Sequence, residues 1–254
     1  MTTLLLLAAC AKTAPPAEAP EPAPVAEAAP AGPFDALIAS PDRQEDDRVM
    51  DPIRQPADWL AFFEIAEGQR VAELGAGGGY STDLIARVVG PEGAVYSQNP
   101  PEWDEWSIAP WDARVANHPL PNVVRVRRSF QDPLPEDATD LDAVLFILIY
   151  HDVATMDVDR AAMNAALYDA LKPGGLLGVI DHHAVEGAGD TVADAIHRIE
   201  ASTVRAELEA AGFEFVDEAD FLAFPEDPRT EMAWARPQPR TDRFVFKLRK
   251  PTGG

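Results

Sequence analysis

Apolar and polar positions along the chain recur with two periods, and the switches between them lay out alternating helices and strands. Residues 58–68, DWLAFFEIAEG, put Trp59, Leu60, Phe62, Phe63 and Ile65 on one broad apolar face and stop at Gly68, as an amphipathic helix does. The whole stretch from Phe34 to Gln69 reads as mostly helical, with two short elements. RVAEL (70–74) is a short strand running into the glycine cluster 75–79. Beyond it, Leu84/Val88 and Ile85/Val89 are apolar pairs four residues apart, on a helix that Ser81 can cap and Gly90-Pro91 closes. AVYSQ (94–98) is the next strand, and the Trp- and Pro-rich segment 100–121 predicts loop with a short helix. NVVRVRR (122–128) alternates as a strand does. LDAVLFILIY (141–150) is apolar almost throughout, as a central strand covered on both faces requires. A helix over 159–171 starts at Asp157 or Asp159 and ends at Lys172-Pro173-Gly174. LLGVID (176–181) is another buried strand. A long helix over 190–211, ended by Gly212, leads to strands FEFVD (213–217) and DRFVFKL (242–248). Strands alternating with helices predict one α/β domain over 34–254, with a doubly wound, mostly parallel seven-stranded sheet.

The glycine cluster VAELGAGGGY (71–80) follows a strand and opens a helix, where a bare turn lets a ligand approach the backbone. A phosphate-binding P-loop needs Lys-Ser/Thr after its last glycine, and Tyr80-Ser81 stands there instead. The dinucleotide fingerprint G-x-G-x-x-G fits at Gly75 and Gly77, but Tyr80 fills its third position. Glu73-Leu74-Gly75-Ala76-Gly77-Gly78-Gly79 resembles the E/D-x-G-x-G-x-G loop of class I S-adenosylmethionine (SAM)-dependent methyltransferases. The resemblance covers roughly 58–250. LKPGG (171–175) is similar to that superfamily's turn before the fifth strand, and 213–217 with 242–248 to its final hairpin. More narrowly, VYSQNPP, YHD, DHH and TDRFV resemble a bacterial group of predicted, often exported methyltransferases. What the resemblance implies is a Rossmann-like methyltransferase fold with a closing antiparallel strand, SAM as cofactor, and a loop of Glu73, Gly75, Gly77 and Gly79 against it. The second strand departs from the superfamily: it ends Ser97-Gln98-Asn99, without the carboxylate that binds the ribose. Asn99 or Gln98 then offers a neutral amide in its place, and Asp132 in FQDPLP is the candidate for the adenine side.

In such a sheet, ligands bind beyond the carboxyl ends of the strands. IYHD (149–152) ends the fourth strand and VIDHH (179–183) the fifth, so His151, Asp152, Asp181, His182 and His183 are expected on one rim beside the glycine loop. His197, on the helix that follows, is placed near the same cleft. Imidazoles beside carboxylates suit proton transfer near neutral pH. His151 or His182 is therefore the expected base for a methyl acceptor, oriented by Asp152 or Asp181. His and Asp are also metal ligands, but with no C-x-x-C or H-E-x-x-H pattern no metal is expected. The expected activity is SAM-dependent methylation of a small molecule. The alternative is a non-methylating ligand-binding protein or a metal-assisted hydrolase on the same fold.

Charge and cysteine content narrow the partners. A formal net charge of -22 over 254 residues argues against nucleic acid, whose phosphates draw on clustered Lys and Arg. The single cysteine, Cys10, excludes an intramolecular disulfide. Its setting, Leu7-Ala8-Ala9-Cys10 after a short apolar run, resembles the lipobox of bacterial lipoproteins. Residues 11–33, rich in Ala, Pro and Glu, are too poor in large apolar side chains to fold and suit an extended spacer. The expected organisation is a lipoprotein-type signal over 1–10, a spacer over 11–33 and a domain held at a periplasm-facing membrane only through a lipid on Cys10. Against it, no Lys or Arg precedes the apolar run, which is shorter than a signal core. A start codon assigned too late accounts for both features, and a cytoplasmic protein is the other expectation.

Overall fold

The computed structural model describes residues 32–234 and 240–253; the signal-like segment and all but the last two residues of the spacer lie outside them. Near the N-terminus come helices α1 (Asp35–Ile38), α2 (Glu45–Arg54) and α3 (Pro56–Phe62), then strand β1 (Arg70–Leu74). Helix α4 (Tyr80–Val89), β2 (Ala94–Asn99), α5 (Asp104–Asn117), β3 (Val123–Arg127) and β4 (Leu141–Ile147) follow. After α6 (Tyr150–Val153), α7 (Arg160–Ala170), β5 (Leu171–His182), α8 (Ala193–Ile196) and α9 (Ala201–Ala210), the chain closes with β6 (Glu214–Ala219) and β7 (Arg243–Arg249).

The seven strands form one sheet in the order β3-β2-β1-β4-β5-β7-β6, in which β7 alone runs antiparallel to its neighbours. This is the predicted doubly wound sheet with an antiparallel closing strand. Order reverses between β1 and β4, so their carboxyl ends open a crevice where ligands gather in such sheets. Two apolar layers sandwich the sheet. Trp59 and Leu60 of α3, Phe63 just after it, and Leu84, Ile85 and Val89 of α4 pack on one face. Met163, Leu167, Val204 and Leu208 from α7 and α9 belong to the other. The central strand β4 feeds both layers, which is why its sequence is apolar without alternation.

Several boundaries differ from the sequence reading, each for a tertiary reason. In the segment expected to be loop with a short helix, the helix runs to 14 residues as α5, which accommodates Pro110 in its interior. Its buried face carries Ser107, Trp111 and Arg114. The long helix expected over 190–211 is broken: α8 stops at His197, whose φ of 53° is left-handed, and α9 starts at Ala201. The buried Arg198 side chain pairs there with Asp227, Nη1 to Oδ2 at 2.8 Å, and Ile199 bridges His183. Strand β4 ends at Ile147, so His151 rides on the single-turn helix α6 rather than on a strand end. Ser81 does not cap α4: Gly79 occupies the N-cap, and the Ser81 hydroxyl donates to Glu73. Asp159 does cap α7, accepting from the Ala162 N–H at 3.0 Å.

Candidate active site

The glycine loop leaves β1 in a backbone shape that glycine alone adopts cheaply, with φ of 66° at Gly75 and 85° at Gly79. Space is equally restrictive. A Cβ on Gly79 would lie 2.4 Å from the Trp111 ring, and one on Gly75 2.5 Å from Ile149. Helix α5 therefore lies directly on the loop, with Trp106 against Gly77 and Pro110 against Gly78. Arg114 fastens it there. Its Nε donates to the Gly78 carbonyl at 2.9 Å while its two Nη groups donate to the buried Asp47 carboxylate of α2.

The two amides at the end of β2 are committed to the same loop. Gln98 Oε1 accepts from the Gly75 N–H at 3.0 Å, and its Nε2 donates to the Arg128 carbonyl at 2.6 Å. Asn99 grips Gly77 twice, accepting from its N–H at 2.8 Å and donating to its carbonyl at 2.9 Å. Asn99 thus shapes the loop, using the atoms a ribose would need. Glu73 also faces inward: it is 2% exposed and accepts from the Ser81 and Thr82 hydroxyls. Burial raises its pKa, against the lowering effect of those two hydrogen bonds. Asp132 is not brought to the loop's cavity; its exposed carboxylate pairs with Arg128.

The reaction-side residues converge from three elements. Asp181, fully buried in β5, accepts from His151 Nδ1 at 2.6 Å, the His151 backbone N–H at 2.8 Å and the His182 N–H at 2.7 Å. His151 Nε2 lies 3.3 Å from Asp152 Oδ1, and His197 Nδ1 lies 3.0 Å from that same oxygen. Hydrogen bonds thus join Asp181 to His151 and Asp152 to His197, while His151 Nε2 meets Asp152 by charge proximity without a hydrogen bond. The series Asp181–His151–Asp152–His197 is buried at its first two members and half-exposed at its last two. Burial alone would lower the His151 pKa, but the charge and hydrogen bond of Asp181 and the adjacent Asp152 carboxylate outweigh it and raise the value to about 10. Burial likewise works to raise the Asp152 pKa, and its two histidine partners win, lowering it.

His182 and His183 do not join this chain. His182 is wholly buried, shares a 2.7 Å hydrogen bond through Nδ1 with Thr241 Oγ1, and has its pKa pushed well down by burial and then by nearby Arg243. Its Nε2 has no partner among the described residues. His183 lies past the end of β5 and lines a separate cavity with Arg229 and Asp242. The residue whose role sequence reading understated is His197. Its signal was only proximity to the cleft, because the left-handed break that aims it depends on distant partners.

A cavity of about 630 Å³ joins these features. Gly75–Gly78 form one wall, Asp152 and His197 another, Trp106 and Trp234 stand at its sides, and Arg54 of α2 borders it from below the loop. Arg54 stacks over the Tyr80 ring at 4.4 Å. Its buried Nε has no partner, and it forms no ion pair among the described residues.

Comparison with known proteins finds likenesses to methyltransferases in one stretch of sequence and in the fold. The family model for protein-L-isoaspartate(D-aspartate) O-methyltransferase matches residues 44–101, from α2 through the glycine loop to the end of β2. A SAM-dependent methyltransferase of Aquifex aeolicus superposes with a TM-score of 0.59 at 18% identity, covering 84% of this chain and 97% of that one. A SAM-dependent O-methyltransferase of Thermotoga maritima gives 0.52 at 16% identity, over 87% and 72%. The [4+2]-cyclase SpnF gives 0.57 at 18% identity, over 82% and 81%. The chain has the Rossmann-like fold of these enzymes, and that fold also carries chemistry other than methyl transfer.

Proposed function

We propose that the protein is a SAM-dependent methyltransferase acting on a small molecule in the glycine-loop cavity. The observation that carries the reading is the cavity itself: a wall of bare backbone faces a His/Asp pair backed by a buried relay, on a fold shared with methyltransferases. The residues fit the cofactor. About 630 Å³ suits a whole small-ligand site, and Gly75, Gly77 and Gly78 present no side chain to it.

When bound, SAM supplies an electrophilic methyl group on a sulfonium. The chain's own contribution is positional and protolytic. The loop, held by Gln98, Asn99 and α5, offers a rigid surface, and Trp106 and Trp234 line the cavity beside it. His197 Nδ1 carries the hydrogen bonded to Asp152, which leaves Nε2 as the free acceptor for the proton of the attacking nucleophile. Asp152 stabilises the imidazolium so formed. His151 and Asp181 act behind it as positioning residues, keeping the Asp152 carboxylate ionised and in place. Titration calorimetry with SAM tests the reading: micromolar binding supports it, and no heat at millimolar SAM with folded protein overturns it.

One observation favours a second reading. Ligating atoms of His151, Asp152 and His197 lie within 4.8 Å of one another, and Asp181 orients His151 as carboxylates orient metal-bound imidazoles. That set suits a divalent transition metal and a metal-assisted hydrolase. Stoichiometric zinc or cobalt, lost in His197→Ala, together with no SAM binding, would put this reading first. The lipid anchor at Cys10 is carried as a proposal too; absence of label on Cys10 after growth on radiolabelled palmitate refutes it. Among the described residues no helix is long and apolar enough to cross a membrane.

A further inference from the structure

In a chain with 43 acidic and 21 basic side chains, a basic group without an acid partner is unexpected. The carboxylates nearest Arg54 are all engaged elsewhere. Asp51 takes the Arg43 guanidinium and the Tyr80 hydroxyl, Asp47 takes Arg114, and Glu73 takes the Ser81 and Thr82 hydroxyls. Among the described residues Arg54 is left stacked on Tyr80, with its Nε buried and unpartnered and its side chain bordering the ligand cavity. A second guanidinium compounds the anomaly. Arg243 lines a small adjoining cavity with Arg54, spends Nη1 on the Ile53 carbonyl at 3.0 Å, and leaves Nη2 buried without a partner among the described residues. Residues 235–239, Ala-Arg-Pro-Gln-Pro, include no acid. Two enclosed cations with unused donors destabilise the empty fold, because desolvation is not repaid by an opposite charge.

We propose that Arg54, backed by the field of Arg243, is the docking point for a carboxylate on the ligand that enters this cavity. The inference rests on the cavity being the ligand site proposed above, and it adds the chemical class of the bound group. A guanidinium fork meets a carboxylate through two parallel N–H donors, and here the pair would be shielded from water. Two carboxylates could be the one bound: that of the amino-acid end of SAM, or that of the methyl acceptor.

The test uses Arg54→Met, which keeps the apolar stem on Tyr80 and removes the charge. Because the charge is unpaired, the ligand-free variant should unfold at the wild-type temperature or above. Calorimetry then compares S-adenosylhomocysteine with 5′-methylthioadenosine, the same thioether without its amino-acid end. Loss of about 10- to 100-fold in affinity for the first, with the second unchanged, assigns the cofactor carboxylate. If S-adenosylhomocysteine binds both proteins alike, malonate decides. Thermal protection of the S-adenosylhomocysteine-saturated wild type by malonate over chloride at equal ionic strength, absent in Arg54→Met, assigns the acceptor carboxylate. Equal S-adenosylhomocysteine affinity together with equal malonate response overturns the proposal. If the wild type binds no adenosyl ligand, the methyltransferase reading fails, and the malonate comparison without it still decides the role of Arg54.

Discussion

Replacing Gly79 by alanine tests whether α5 is seated on the glycine loop. Two costs are expected. A side chain at a φ of 85° enters the left-handed region, at roughly 1–2 kcal/mol. The new Cβ would also stand 2.4 Å from the ring of Trp111, a residue only 3% exposed. Overpacking of that kind adds roughly 1–3 kcal/mol. Gly68→Ala is the control, since Gly68 has nearly the same φ, 80°, and nothing within 4 Å of its Cβ position. Both variants lose the same backbone freedom in the unfolded chain, so that contribution cancels between them. The difference between the variants isolates the α5 contact. At roughly 2–4 °C per kcal/mol for a domain of this size, Gly79→Ala should melt about 2–12 °C below Gly68→Ala. Circular dichroism melts of both, with urea midpoints as a second probe, make the comparison. Melting temperatures within 1 °C of each other would refute the seating of α5 on the loop.

Three other substitutions probe the site. Asp181→Asn should cost about 3–5 kcal/mol at neutral pH, the usual loss when a buried pair loses one partner. His151 has a folded pKa raised from 6.5 to about 10, so the pair's stabilisation is fully present below pH 6.5 and lost as pH rises through 10. The gap from wild type should therefore narrow over that window, leaving the part due to the two backbone N–H groups that Asp181 accepts; a constant gap refutes a charged pair. Glu73→Gln should also gain on the wild type as pH rises, starting from a lower pH. Burial raises the pKa of Glu73, so the wild type loses stability as pH climbs above 4.5, and the variant should gain relative to it in melts from pH 4.5 to 7.5. Asn99→Asp, which installs the superfamily's acid, should cost about 1–3 kcal/mol, because a carboxylate cannot donate to the Gly77 carbonyl. Its melting temperature should recover at acid pH, where the carboxyl is protonated; no loss at pH 7 refutes the clamp.

What could be read ahead of the structure followed from local rules plus strand order. That His151 and Asp181 share one rim was legible because β4 and β5 are adjacent in this topology, with Ile147 in register with Ile180; which histidine takes which carboxylate was not. The length of helix α5 was not legible. Pro110 in a helix interior costs about 3 kcal/mol on its own, and the offset comes from contacts to Gly78, Gly79 and Asp47, all distant in sequence. The break at His197 was hidden for the same reason: its apolar spacing reads on through to Ala211, while the Arg198–Asp227 pair and the Ile199 bridge to His183 interrupt it. Glu73 and Asn99 were identified by position in a motif, which gives the strand they sit on but not the partners they take. Both turn inward to hold the loop. The tertiary partners of Gln98 and Asn99 explain why a loop of the right shape persists without the usual acid.

The exposed Asp46 stands with Asp47 on the edge of a cavity that Arg54 borders deeper in, on a molecule of net charge -22. Long-range and short-range electrostatics therefore oppose each other. The field outside repels an anion and draws in a cation, with a reach of about 8 Å at physiological ionic strength. A ligand with a cationic centre and one carboxylate satisfies both, arriving by its positive charge and settling by its negative one. SAM carries one more positive charge than the thioether left after its methyl is gone, so added salt should slow capture of the sulfonium more than that of the spent form. The acidic mouth would then favour exchange of spent for fresh cofactor through association kinetics, without any contact that distinguishes the two.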